Sequence, residues 1–251
     1  MRKLFVIIFF IPFIAFTQSK RSTDSSSTYA TKNIIKLNLS SLALNNFSFT
    51  FEKLIKNKVS FVLGYRFMNT TKLPYQTTFS GLFNDPVIDF TNISLGNNAV
   101  TGEFRFYSHK NMRGFYIAPY GRYANFNLSL PVSYTSTTGG ISVTKSATFS
   151  GNISSISGGI LLGTQHRLSK RIVLDIWLIG AHFGGSTGNL VTNLATPLTT
   201  QEQQALQLSL GNIDVSPYKL TGTVTSANSA NLQSSTWFGL RGLGINIGYS
   251  F

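Results

Sequence analysis

Few residues in this chain could perform acid–base or metal chemistry. It has three histidines, at positions 109, 166 and 182, and no cysteine. By its spacing from Leu178, His182 is expected on the outward face of its strand, and Ser186 lies close to it in sequence. A serine beside a neutral base is the arrangement that acyl hydrolases use. Downstream, the only acidic residues are the distant Glu202 and Asp214. We therefore predict no catalytic residue, no metal site and no cofactor, with an acyl hydrolase acting through His182 as the alternative.

A second set of candidate residues consists of charged side chains within otherwise apolar, alternating segments. They are Lys36, Glu52, Arg66, Glu103, Arg105, Arg122 and Asp175. Positive and negative charges are nearly balanced, and an unpaired charge in a desolvated interior is costly, so we expect a buried ion-pair network. Counted from the predicted short turns, all but Arg66 and Arg122 fall at a similar height. We expect the others to form one layer below these two arginines.

The elements that must position these charges are predicted to be strands, because the dominant pattern has a period of two. In the second segment, for example, Phe47, Phe49 and Phe51 alternate with polar residues. Eight such segments occur, at 34–42, 47–52, 59–67, 99–107, 115–124, 153–168, 172–178 and 237–251.

The connections between these segments alternate in length. Three are short, at 55–58, 108–114 and 169–171, and three are long, at 69–98, 125–151 and 184–236. Only the first hairpin, turning near 43–46, is short on the long-loop side. Short periplasmic turns opposite long outer loops are typical of outer-membrane barrels. Within the long loops, 128–134 and 141–149 predict a protruding hairpin, and Thr199 with Glu202 predicts a capped short helix.

The first 17 residues have the pattern of a secretory signal peptide: basic residues, a short apolar run and small residues at the end. Residues 18–33 are rich in Ser and Thr and predict a flexible periplasmic lead-in. No later apolar run is long enough for a membrane-spanning helix, so any membrane entry must use strands. The net charge of +13 is spread over turns and strands. This distribution argues against nucleic-acid binding, which needs a gathered basic surface.

Alternation alone does not decide whether the apolar face points to lipid or to a protein core, and a soluble lipocalin-like barrel is the competing interpretation. The export signal, the asymmetric connections and the aromatic end of the chain favour lipid. Phe251 and Tyr249 on an alternating last segment resemble the signal that the outer-membrane assembly machinery recognises. We predict an all-β fold: an eight-stranded antiparallel up-and-down transmembrane β-barrel over 34–251, with short periplasmic turns, long extracellular loops and a lumen filled by side chains.

Segments 102–107 (GEFRFY), 114–120 (GFYIAPY) and 163–175 (GTQHRLSKRIVLD) carry a resemblance to a known family. They resemble a family of bacterial outer-membrane barrels that has only a domain-of-unknown-function label, and the likeness extends over about 34–251. The long 184–236 segment departs from the family pattern. The resemblance implies an OmpA/OmpX-like fold without an established activity.

We therefore expect a bacterial outer-membrane protein with a structural role, or with a binding or adhesion role carried by loops 69–98, 125–151 and 184–236. The expected partners are outer-membrane lipids, the barrel assembly machinery and a protein bound by the loops. The alternatives are a lipid A-modifying enzyme using His182 at the outer-leaflet rim, and a subunit of a larger envelope complex that docks through its basic turns.

Overall fold

The computed structural model describes residues 31–72 and 87–251, and this part of the chain is predominantly β-structure. The predicted signal peptide, most of the predicted lead-in and the centre of the predicted loop 69–98 lie outside the described residues. The described strands are β1 (Asn33–Asn38), β2 (Phe47–Lys56), β3 (Val59–Lys72), β4 (Ser94–His109), β5 (Arg113–Thr138), β6 (Ile141–Arg167), β7 (Ile172–Asn193), β8 (Leu220–Ser226), β9 (Ser229–Ser234), β10 (Thr236–Leu240) and β11 (Gly244–Ser250). The helices are α1 (Leu39–Leu42) and α2 (Thr200–Gly211), with a 3-10 turn at Phe90–Asn92.

The strands form one antiparallel, up-and-down sheet that returns on itself. From β1 to β7 each strand pairs with the next along the chain, and β11 pairs with both β1 and β7. We call this closed part the ring. Its closure is uneven, because β1 and β11 have 6 and 7 residues whereas β5 and β6 have 26 and 27.

The eleven strands of the described residues replace the eight that we predicted, for two reasons. The last predicted strand is interrupted at 241–243 and becomes β10 and β11, both paired with β7. The predicted loop 184–236 also folds into the β8–β9 hairpin. The all-β, antiparallel, up-and-down prediction is confirmed.

The first predicted strand is shorter than expected. β1 ends at Asn38, whose side-chain oxygen accepts a hydrogen bond from the Ser41 backbone amide at 2.8 Å. This contact caps the helical turn α1, which replaces the extended conformation predicted for residues 39–42. The ring wall therefore stops early on this side.

A bulge in β7 reverses which side chains point into the ring. Leu162 pairs with Ile179 but Gly163 pairs with Trp177, so Leu178 is an extra residue in β7. Leu178 and the adjacent Ile179 are both exposed. Odd-numbered residues point inward below the bulge and even-numbered residues above it. The prediction that His182 shares the outward face of Leu178 is therefore wrong, since His182 is inside the ring and only 7% exposed.

Beyond the ring, the long strands continue into a second sheet. This second sheet consists of residues 126–138 of β5, 141–154 of β6 and 187–193 of β7, followed by β9 and β8. The end of β7 pairs with β9, and β9 pairs with β8. We call this part the upper sheet. The helix α2, capped by Thr199 and Glu202 as predicted, packs against both β5 and β8. It therefore bridges the two ends of the upper sheet. The apolar core between helix and sheet includes Leu130, Val132, Phe149, Ile153, Leu190, Leu206, Leu210 and Leu232.

No helix in residues 31–72 and 87–251 is both long and apolar enough to cross a membrane.

Candidate functional site

The interior of the ring contains a layer of ion pairs. Lys36 Nζ lies 2.5 Å from Glu52 Oε2 and 2.7 Å from Asp175 Oδ2. Arg105 lies 2.7 Å from the same Asp175 oxygen through Nη1, and 3.1 Å from Glu103 Oε2 through Nε. All five side chains are 0% exposed. The structure thus brings together the five residues for which the sequence predicted one layer.

Neutral side chains add hydrogen bonds to two carboxylates of this layer. Tyr107 donates its hydroxyl to Glu52 Oε1 at 2.6 Å, and Ser60 donates to the same oxygen. Tyr116 donates to Asp175 Oδ1 at 2.7 Å, while its ring lies 4.4 Å from the Arg105 guanidinium carbon. Such bonds are what a buried ion pair needs to offset its loss of hydration.

The period-two pattern of the strands places these groups at one height. Lys36 lies on β1, Glu52 on β2, Glu103 and Arg105 on β4, and Asp175 on β7, each at an inward position. The pairing register keeps them level, because β1 pairs with β2 around Glu52 and with β11, which itself pairs with β7 at Asp175. The sequence predicted this set because each charge interrupts an apolar alternation.

Sequence reasoning missed two members of the layer. Gln165 accepts a hydrogen bond from Lys36 Nζ at 2.5 Å and donates to the Met112 carbonyl oxygen at 2.9 Å. Arg241 places Nη2 2.5 Å from Glu103 Oε1, and its guanidinium carbon lies 4.0 Å from the Trp177 ring. Arg241 was missed because it follows β10 at the interruption, where the alternation of the last strand breaks down.

Arg66 and Arg122 do not belong to the layer. They line a pocket above it together with Arg241 and His182. In the part of the chain that the structure describes, no carboxylate lies within 4.0 Å of the charged nitrogens of Arg66 or Arg122. The ion-pair network that we expected to include Arg66 and Arg122 therefore does not extend to these two arginines.

The histidines form local polar contacts. His182 Nδ1 lies 2.7 Å from Ser157 Oγ, inside the ring. Ser186, the nucleophile suggested by the sequence, instead contacts Ser234 Oγ at 2.7 Å. The His182–Ser186 pair is therefore not formed. Within residues 31–72 and 87–251, no group of three or more His, Asp or Glu side chains could hold a metal ion.

The end of the chain carries an exposed aromatic pair. Tyr249 and Phe251 are 45% and 50% exposed, and their ring centroids are 6.5 Å apart. Arg171, in the turn between β6 and β7, donates to the Tyr249 hydroxyl at 2.8 Å. Both predicted residues of the assembly signal thus lie on the outside of the ring at its short-turn end.

Comparisons with known proteins add a family but no characterised relative. No curated protein and no solved structure matches the chain. A family model described as "Protein of unknown function (DUF3575)" matches residues 8–184, which is more than half of the chain. The match covers β1 to β6 and the ring portion of β7, and ends where the long segment 184–236 begins. The chain therefore belongs to the DUF3575 family.

Proposed function

We propose that this protein is a small outer-membrane β-barrel of the OmpA/OmpX-like kind, in which the ring spans the bilayer and the upper sheet binds a partner outside the cell. The proposal is carried by one observation, the position at which the outer surface of the strands changes from apolar to polar.

Two neighbouring rows of outward side chains mark this boundary. The upper row is polar and consists of Asn98, Asn125, Ser154 and Thr187, which are paired in register across β4 to β7. The row below consists of Val100, Tyr123, Ile156 and Gly185. Because β4, β5 and β6 each change from an apolar or aromatic to a polar side chain at the same hydrogen-bonded level, the boundary is a property of the assembled surface.

Below the boundary, large apolar side chains point outward from every strand of the ring. One from each strand, 40–63% exposed, is found at Ile35, Phe49, Leu63, Phe104, Ile117, Ile160, Ile179 and Ile247. Soluble monomers rarely expose a continuous apolar belt of this kind, and such a surface is typical of contact with a membrane or another protein. On β5 the belt extends over residues 115–123, close to the roughly 9–11 residues of a strand that crosses a bilayer.

Above the boundary, the same strands have the opposite sidedness. The outward residues of β6 from Ser154 to Ser142 are all Ser, Thr or Asn, while the inward residues Phe149 and Ile153 join the apolar core under α2. An apolar interior with a polar exterior is the arrangement of a protein in water. The two halves of each long strand are therefore suited to two different solvents.

The ion-pair layer supports a structural role for the ring itself. Arg105 and Asp175 lie at its centre and are fully buried, so the interior is occupied by side chains at this level. At the level of this layer the narrow ring leaves no open channel for a solute. We therefore assign the ring to support and the upper sheet to binding, and we assign no catalytic role to His182.

Binding is assigned to the upper sheet because it has a groove and exposed apolar side chains. A groove of about 670 Å³ lies between β5 and α2, with Tyr134, Ala205 and Leu208 among its lining residues. Leu208 is 69% exposed, and Ile141, at the tip of the β5–β6 hairpin, is 70% exposed. Rigid scaffolds commonly carry their binding residues on such protruding elements.

Residues 1–17 fit the proposal as the export signal, and Phe251 with Tyr249 fit it as the signal for the assembly machinery.

A matched pair of lysine substitutions tests the proposal. Ile160→Lys places a charge in the apolar belt, and Thr148→Lys places one on the same face of the same strand above the boundary. We expect Ile160→Lys to lower the free energy of unfolding in lipid vesicles by about 2–4 kcal/mol, the cost of a lysine near the middle of a bilayer. Thr148→Lys should change it by less than about 0.5 kcal/mol.

Stability is measured by urea unfolding in phosphatidylcholine vesicles, and closure of the barrel by the mobility of unheated samples in gels. Equal effects of the two lysines would contradict the proposal. So would recovery of the folded wild-type protein from the periplasmic fraction without detergent.

A further inference from the structure

A positively charged pocket lies inside the ring, between the ion-pair layer and the upper sheet. It has a volume of about 210 Å³ and is lined by Arg66, Arg122, Arg241, Asn97 and His182, among others. A neighbouring pocket of about 250 Å³ shares Arg66 and Arg241 with it. The two pockets are therefore adjacent, and we refer to them together as the arginine-lined space.

Several buried donors around this space have no hydrogen-bond partner among the described residues. They are Nε of Arg66, Nε and Nη1 of Arg241, and Nδ2 of Asn97. Arg241 and Asn97 are only 8% and 4% exposed. Leaving a buried donor unsatisfied costs about 1–3 kcal/mol, and more for a charged group. Because guanidinium groups only donate, the missing partner of the arginine nitrogens must be an acceptor. The side-chain oxygens of Asn46 and Asn97 in the same pockets also lack a partner among the described residues.

The charge balance of the interior points to an anion. In the described part of the ring, five cationic side chains face three carboxylates, an excess of two positive charges. The cations are Lys36, Arg66, Arg105, Arg122 and Arg241, and the carboxylates are Glu52, Glu103 and Asp175. Only Glu103 contacts a pocket arginine, through Arg241. A doubly charged anion would compensate the excess, which otherwise is costly to bury.

The wall of the ring is interrupted beside this space. Among the described residues β10 pairs only with β7, while β1 has already ended at Asn38 and β2 begins at Phe47. No backbone ladder therefore joins β10 to α1 or β2. The interruption is bordered by apolar side chains, with Leu240 and Leu243 75% and 71% exposed and Leu44 43% exposed. All three line the 250 Å³ pocket.

We propose that this space binds a phosphate group, held by Arg66, Arg122 and Arg241. Phosphate offers several acceptor oxygens and up to two negative charges, and arginine binds it through two parallel hydrogen bonds. The interruption gives such a group a lateral route, with the acyl chains of a phospholipid lying on Leu240 and Leu243. Inorganic phosphate would satisfy the same donors. The lipid source depends on the membrane insertion proposed above, whereas the free-phosphate source does not.

The binding experiment uses the full-length mature protein and its own tryptophans as reporters. Both tryptophans of the chain lie at the space, Trp177 in one pocket and Trp237 in the other. In one arm, inorganic phosphate is titrated into the protein in a phosphate-free neutral detergent. In the other, the protein is placed in vesicles of a phosphate-free galactolipid that contain phosphatidic acid, with diacylglycerol as the matched neutral lipid.

The variants are Arg66→Gln/Arg122→Gln and, beside it, Arg122→Gln alone. The control is Lys53→Gln/Arg113→Gln, which removes two exposed charges at the short-turn end. Gel mobility of unheated samples establishes that each variant is folded. We expect the double variant to weaken binding at least tenfold, about 1.4 kcal/mol. The single variant should show a smaller loss and the control none.

Binding in the detergent arm identifies free phosphate as a sufficient ligand, and binding in the vesicle arm alone identifies a lipid phosphate. Each supports the proposal if the arginine variants lose it. The site is refuted if neither arm shows binding or if the double variant binds as well as the control. If the protein fails to insert into vesicles but binds inorganic phosphate through these arginines, membrane insertion fails and the phosphate site stands.

Discussion

Replacing Asp175 by asparagine should be among the most damaging single changes in the ring. The substitution keeps the shape of the side chain and removes one negative charge from the centre of the ion-pair layer. Asp175 Oδ2 lies 2.7 Å from both Lys36 Nζ and Arg105 Nη1, and all three side chains are fully buried. An asparagine there would keep an oxygen toward Tyr116 only by turning its amide donors toward these two cations.

The size of the loss follows from the contacts. Two charge-assisted hydrogen bonds disappear, each contributing roughly 1.5–3 kcal/mol. Lys36 keeps Glu52 at 2.5 Å and Arg105 keeps Glu103 at 3.1 Å, so neither cation is left alone. We therefore expect a loss of about 3–4 kcal/mol, in the lower half of the range for breaking a buried ion pair.

The measurement is the free energy of unfolding in urea, followed by tryptophan fluorescence in phosphatidylcholine vesicles. Asp214→Asn, at an exposed position, is the control and should change stability by less than about 0.5 kcal/mol. Lys36→Met/Asp175→Asn removes one charge of each sign. Its loss in the free energy of unfolding should be smaller than the sum of the losses of the two single variants by at least about 1 kcal/mol. A loss below about 1 kcal/mol for Asp175→Asn, or strict additivity, would show that the layer does not hold the ring together.

Two further predictions concern the upper sheet. Gln207 on α2 donates to the Gly222 carbonyl oxygen at 3.1 Å and accepts from the Val224 amide at 2.9 Å, so it occupies the free edge of β8. Gln207→Ala should expose this edge and give concentration-dependent oligomers in analytical ultracentrifugation, whereas Gln204→Ala should remain monomeric; equal behaviour of the two would contradict this role. The hydrogen bond from Lys145, together with those from Thr199, lowers the pKa of Glu202 from 4.5 to about 2. Because the lowered pKa belongs to the folded state, the contribution of Glu202 is present above pH 4.5 and is lost as the pH falls towards 2. The rate of pepsin cleavage within 194–236, normalised to the rate for an unfolded peptide, should rise in the wild type as the pH falls from 4.5 towards 2. In Glu202→Gln the rate should already be raised at pH 4.5.

The alternation of residue types predicted most of the ring. Phe47, Phe49 and Phe51 point outward as a period of two requires, and the charges between such residues meet inside. The hairpin of residues 128–149 and the capped helix at Thr199 were also predictable, because turn and cap residues act locally. These features depend on neighbours in the sequence or on a pattern that repeats along it.

The features that were not predictable depend on contacts between distant strands. The bulge at Leu178 changes which residues of β7 point into the ring. The sequence around Leu178 does not indicate that an extra residue is inserted there. His182 was therefore placed on the wrong face. The interruption that separates β10 from β11 lies opposite this bulge, because β10 pairs with β7 above it and β11 pairs with β7 below it. Arg241 lies in this interruption, where it contacts Glu103. The register of a strand is set by its partner, so a single strand read alone does not reveal such a change.

The continuity of β5 and β6 through the polarity boundary has a consequence for reach. Fourteen residues of β5 lie above Ala124, and an extended strand of that length measures about 45 Å along its axis. Because α2 packs against this part of β5, the hairpin that ends around Ile141 is rigid. A molecule that binds at the tip would therefore be held at a fixed distance from the apolar belt, beyond the surface that immediately surrounds the belt.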